Sequence, residues 1–100
     1  MEQRKINLSE SAYADLESIE AYIAQDSAII ARNFINTLFN RIEQLYTFPE
    51  SGKVVPEFEN KAVRELRIKK YRIVYQILSP EEIMILRVIH GSRLLDLGLG

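Results

Sequence analysis

Cysteine is absent from this chain, and histidine occurs once, at His90. Without thiols there is no disulfide framework of the kind that staples small secreted domains, no thiolate nucleophile and no Cys-based zinc site. A single imidazole cannot build a metal cluster by itself, and no Gly-rich stretch has the spacing of a phosphate cradle. No metal and no cofactor are expected. Long apolar runs are missing too. The opening MEQRKINLSE has no apolar core of a signal peptide, and no stretch approaches membrane-spanning length. The expected setting is a reducing cytoplasm, with no membrane partner.

What is present is an ordinary globular composition. Hydrophobic residues make up 47% of 100 and charged residues 27%, which argues against disorder and for one domain over residues 1–100 with one core. The formal net charge of -1 hides a division along the chain. Residues 1–60 carry five basic and ten acidic side chains, whereas residues 61–93 carry eight basic and three acidic ones. Such a split points to an anionic partner for the second half, or to two halves that neutralise each other where they pack.

The periodicity is helical first and strand-like later. Lys5 to Leu8 is a short strand candidate, and Ser9 can cap the helix that follows, with Leu8 and Tyr13 as a hydrophobic staple. Ala12, Leu16, Ile19 and Ile23 recur at three and four, so they share one stripe of that helix, which ends near Gln25. Asp26 or Ser27 caps a second helix with its stripe at Ala31, Phe34, Leu38, Ile42 and Leu45. So short a join makes an antiparallel hairpin. Residues 49–60 read as a loop, rich in Pro, Gly, Ser and Glu. Strands are then expected at Val63 to Ile68, Tyr71 to Leu78 and Ile83 to Ile89, separated by turns at Lys69-Lys70 and Ser79-Pro80-Glu81. The fold class is α+β: an N-terminal strand and a two-helix hairpin packed on one face of a small antiparallel sheet.

Strict alternation places Tyr71, Ile73, Tyr75 and Ile77 on one face of the middle strand and Arg72, Val74, Gln76 and Leu78 on the other. On the last strand it groups Ile83, Ile85, Arg87 and Ile89 against Met84, Leu86, Val88 and His90. Helices cover one face only, so the second face, both apolar and basic, is expected to take other cover. The candidates are the tail residues Leu94, Leu95, Leu97 and Leu99, or a partner chain. Arg87 is expected to meet a partner carboxylate or Asp96, Arg72 to point at water, an anion or a partner, and Arg64 and Arg67 to lie on a solvated face. Tyr71 and Tyr75 are expected to pack under the helices. His90 is expected to bond a loop carbonyl, and Gly91 to supply a turn angle.

In this order, "ARNFI" at Ala31 to Ile35, "FPESG" at Phe48 to Gly52, "VREL" at Val63 to Leu66, "YRIVY" at Tyr71 to Tyr75 and "ILRVIHGSR" at Ile85 to Arg93 resemble the RelE/ParE superfamily of type II toxins. The resemblance covers nearly the whole chain. It implies a toxin held inactive by a cognate antitoxin lying over the open sheet face, in a toxin–antitoxin hetero-oligomer. Two chemistries exist in the superfamily: RelE-like members cut messenger RNA on the ribosome, and ParE-like members poison DNA gyrase. Arg72 and Arg93 match positions of RelE-like catalytic arginines, and Arg64 a basic strand position, while His90 can serve as acid or base. Leu66 replaces an expected lysine and the C-terminal tyrosine is missing near Leu99. A pI of about 5.8 also suits a protein target better than a phosphate lattice. The expected function is therefore ParE-like gyrase inhibition, with the ribosome-dependent endoribonuclease as the alternative. Arg64, Arg72, Arg87, His90 and Arg93 are the candidate residues for target or antitoxin binding.

Overall fold

The structure, a computed structural model, describes residues 4–93. Strand β1 (Lys5–Leu8) leads into helix α1 (Glu10–Ala24), which turns back through α2 (Ala28–Glu43) and a single 3-10 turn at Gln44–Tyr46. Strands β2 (Lys53–Val54), β3 (Val63–Ile68), β4 (Tyr71–Ser79) and β5 (Glu82–His90) follow. The α+β class and the helical hairpin are as the sequence leads one to expect. The sheet differs in two respects. It has five strands in the order β1-β5-β4-β3-β2, because the 49–60 loop contributes a two-residue edge strand. It is also mixed: β1 runs parallel to β5, since the hairpin returns the chain to the end of the sheet from which it left.

Caps set the helix starts. Ser9 Oγ accepts the Ala12 amide at 3.0 Å and donates to the Leu86 carbonyl at 2.8 Å, so one hydroxyl starts α1 and fastens it to β5. Ser27, not Asp26, caps α2 by accepting from the Ile30 amide at 3.2 Å. The expected stripes are buried except at Ile23, which is partly so: Ala12, Leu16 and Ile19 of α1 and Ala31, Phe34, Leu38 and Ile42 of α2 face the sheet, followed by Leu45. Beneath the hairpin they meet Leu66, Ile73, Tyr75, Ile83, Ile85 and Val88, with Tyr71 and Ile77 packed at the margin.

Strict alternation fails on β5. Val74 pairs with Arg87 but Tyr75 pairs with Ile85, so Leu86 is an extra residue in the ladder. Such a bulge inverts the phase of all that follows. Ile83 and Ile85 thus share the helix-side core with Val88, while Leu86 and Ile89 join Val55, Val63 and Val74 on the second side. Arg87 stands opposite Val74, but its charged end turns to α1. Its guanidinium takes both oxygens of Asp15 on α1, Nε to Oδ2 at 2.8 Å and Nη2 to Oδ1 at 3.0 Å, and Oδ2 also accepts the Val88 amide at 2.8 Å. Asp15 therefore occupies the role foreseen for a partner carboxylate or for Asp96, which lies outside the described residues.

The second side of the sheet is covered by the chain itself, through a segment that periodicity does not single out. Val55 and Phe58 of the 49–60 loop pack there on Val63, Val74 and Ile89. What remains partly or wholly open on that face is Gln76, Leu78, Met84 and Leu86. The cover expected from Leu94, Leu95, Leu97 and Leu99 falls outside the described residues.

Candidate functional site

Arg72 sits in the middle of the second face, opposite Arg67 across the β3–β4 ladder. Two cations facing each other at this distance repel, and a buried one is costly, so carboxylates have to be near. Two are. Glu65, diagonal to Arg72 on β3, accepts from Arg72 Nε at 2.7 Å and from Nη2 through the same oxygen, Oε2. Its other oxygen accepts from Arg67 Nε at 3.2 Å. Glu57 comes from the loop above and takes the outer edge of the guanidinium as a fork, Oε2 to Nη1 at 2.8 Å and Oε1 to Nη2 at 2.9 Å. The Arg93 carbonyl accepts from Nη1 at 3.3 Å.

A guanidinium has five N–H donors, and these five bonds use them all. Arg72 is 3% exposed and Glu65 5%. The paired carboxylates push the Arg72 pKa further up against the opposing pull of burial, so it stays charged throughout the accessible pH range. Of the three addresses expected for Arg72, water, an anion or a partner, the structure gives an anion, and it is internal: Glu57 and Glu65 of the same chain. Arg93 meets Arg72 by its carbonyl, and its side chain is exposed.

The other candidates are dispersed. Arg64 donates Nε to the Lys61 carbonyl at 3.0 Å and Nη1 to the Gly52 and Glu50 carbonyls at 2.9 and 3.3 Å, so it tethers the loop instead of lying on a solvated face. Arg67, by contrast, is largely exposed. Arg87 is fixed under α1 by Asp15, which also raises its pKa. His90 stacks edge-on to Tyr71 at 6.1 Å, and its Nδ1 accepts the Ser92 amide at 3.2 Å and lies 2.7 Å from Ser92 Oγ. Its partner is thus a serine two residues ahead, not a loop carbonyl. Gly91 lacks a left-handed φ; what it allows is close approach, its amide bonding the Lys70 carbonyl at 2.6 Å. Arg72 on the second face and His90 beside Tyr71 on the helix side do not share a surface. The single concave nuclease surface of Arg64, Arg72, His90 and Arg93 is therefore not formed. Leu66, in place of a strand lysine, is buried in the core.

Three functional features escape sequence reasoning. Glu65 has a weak signal, an acid two residues before Arg67 on the same strand face. Glu57 has none, because a loop carries no period. Tyr75 has the pattern of a core residue, yet its hydroxyl donates to the Pro49 carbonyl at 2.8 Å and accepts the Gly52 amide at 3.0 Å, which pins the start of the covering loop. Burial raises its pKa, against the opposing effect of the Gly52 bond. A phenol that holds its proton more tightly when folded contributes stability that is complete below about pH 10 and is lost as pH rises through the folded pKa. Tyr75→Phe should cost about 1–3 kcal/mol at neutral pH by leaving the Gly52 amide unpaired. In urea titrations its stability should then fall less steeply than wild type above about pH 10; parallel curves would refute this role.

Among the described residues no group of His, Cys, Asp and Glu is arranged to hold a metal ion, and no helix is long and apolar enough to cross a membrane.

Comparison with known proteins bears directly on this geometry. A solved structure described as the chromosomal ParDE toxin–antitoxin system from P. aeruginosa resembles the chain with a TM-score of 0.72 and 21% identity, over 89% of this chain and 97% of that one. The toxin–antitoxin complex RelBE2 from Mycobacterium tuberculosis gives a TM-score of 0.59 and 22% identity, over 89% and 99%. At such identities the likeness establishes the fold. No curated protein matches in sequence. The model of the family described as ParE toxin of type II toxin-antitoxin system, parDE, matches residues 6–95. With nine-tenths of its length matched and the helical hairpin on a mixed sheet in place, this chain belongs to the ParE toxin family of type II toxin–antitoxin systems.

Proposed function

We propose that this toxin acts in the cytoplasm by binding DNA gyrase, that it does not cleave RNA, and that a cognate antitoxin neutralises it in a hetero-oligomer. The observation that carries the choice is the saturation of Arg72. An arginine that stabilises a phosphorane must present donors to it, and here all five are committed to Glu57, Glu65 and the Arg93 carbonyl. His90 and Arg93 remain on an exposed turn, where they can contribute to recognition. An antitoxin partner is supported by the descriptions of both solved relatives, each a toxin–antitoxin system. Its seat cannot be the whole second face, part of which Val55 and Phe58 of the 49–60 loop occupy.

The test is a pair of reactions with purified chain. Supercoiling by gyrase should be inhibited, with cleaved DNA trapped on the enzyme, and addition of the antitoxin should restore it. A defined message on translating ribosomes should stay intact. Codon-specific cuts would establish the endoribonuclease alternative in its place.

A further inference from the structure

With part of the second face covered by the chain itself, an open cavity on the helix side becomes informative. A groove of about 390 Å³ runs between α2 and the β3–β4 turn. Ile23, Ile30, Phe34 and Tyr71 form its walls, and Lys69 and Lys70 stand at its rim. Its apolar surface continues outward over the tip of the helical hairpin, where Ile30 is 60% and Ile29 74% exposed. Isoleucines so open to water on a small protein mark a surface that is covered in use.

The rim is charged and not neutralised. Among the described residues no carboxylate lies within ion-pair reach of Lys69 or Lys70. Lys69 holds its Nζ 5.4 Å from the centroid of the Phe34 ring, directly on the groove wall. It does so from a left-handed backbone, φ 52°, which a lysine adopts only at a steric cost. The turn is also fixed, because the Lys70 carbonyl accepts the Gly91 amide. The Lys69 ammonium is thus set in advance beside an oily slot, with Lys70 next to it on the same fixed turn. An apolar group entering alone would strip water from them without compensation, whereas one flanked by carboxylates would gain charge-assisted bonds.

We propose that this groove receives an acidic segment of the antitoxin, anchored by apolar side chains between Ile30, Phe34 and Tyr71 and held by carboxylates on Lys69 and Lys70. This rests on the toxin–antitoxin reading above and adds the place and chemistry of contact. A polypeptide suits it better than a nucleic acid: the Phe34 ring is buried and already engaged by Tyr71 and Lys69, Ile23 and Ile30 offer no ring for a base to stack on, and neighbouring α1 carries four acidic residues and no basic one, which repels polyphosphate.

The probe is the polypeptide encoded immediately beside the toxin's reading frame, titrated calorimetrically against the full-length toxin. Lys69→Gly/Lys70→Glu should weaken binding by about tenfold or more and flatten its salt dependence. Glycine relieves the left-handed strain at position 69, so the melting temperature should not fall and unfolding cannot imitate the loss. A second variant, Ile30→Glu, should weaken binding as well, whereas Leu78→Glu on the opposite face should not. If wild type binds and the Lys69/Lys70 variant stays within about twofold of it, the groove is not the site although the toxin–antitoxin reading stands. If wild type does not bind, that reading fails and the proposal with it. Loss of affinity for a single-stranded RNA in these variants, with antitoxin binding intact, would assign the groove to nucleic acid and overturn the proposal.

Discussion

Arg72→Leu should lower the stability of this toxin by about 3–5 kcal/mol, because it leaves Glu65 charged and buried with only the exposed Arg67 to answer it. The loss should appear as a lower urea midpoint with little change in slope. Changing Arg72 and Glu65 together, to Leu and Met, should recover much of it, since the pair is costly to desolvate and its worth lies in not being broken singly. The comparison separates two views of this residue. If Arg72 were an active-site group, single and double variants would lose activity alike and stability little. If it is a structural cation, stability falls in the single variant and returns in the double one. A single variant as stable as wild type would show that the cluster contributes nothing to the fold.

Gly52→Ala should be comparably damaging, about 3 kcal/mol, through overpacking. A methyl at this position would lie 2.6 Å from the Glu65 carbonyl oxygen and 2.6 Å from the Tyr75 hydroxyl. Neither can retreat. The carbonyl belongs to the β3 backbone, and the phenol is buried and bonded at both Pro49 and Gly52. The chain must move instead, and with it the loop that brings Glu57 to Arg72. Thermal melting should report the loss, and fluorescence of a label placed at Phe58 should report displacement of the loop. An unchanged melting temperature would mean that the loop is held by something other than this contact.

Much of the fold was legible because it depends on period and caps. Ser9 and the stripes of α1 and α2 could be read by spacing, and Tyr71, Ile73, Tyr75 and Ile77 by alternation. The readings that failed did so for local reasons. One added residue, Leu86, reverses the faces of β5, and no property of leucine announces a bulge. Arg72 appeared exposed because its partner Glu57 arrives from a segment without period, fifteen positions away. The candidate site suffered more than the fold: arginines are visible in a sequence, but which anion each meets is set by tertiary contacts. The charge division along the chain turned out to be partly internal, for Glu57 with Arg72 and Asp15 with Arg87 each join the acidic half to the basic one.

The parallel seating of β1 on β5 bears on when the fold can close. Residues 5–8 pair in the sheet with residues 82–85, and the Lys5 amide bonds the Glu81 carbonyl, so the ribosome must deliver nearly everything in between before this edge can close. Until then the apolar underside of the hairpin lacks Ile83, Ile85 and Val88, against which it packs. Synthesis thus puts the sealing of the sheet last, after every other strand has been made.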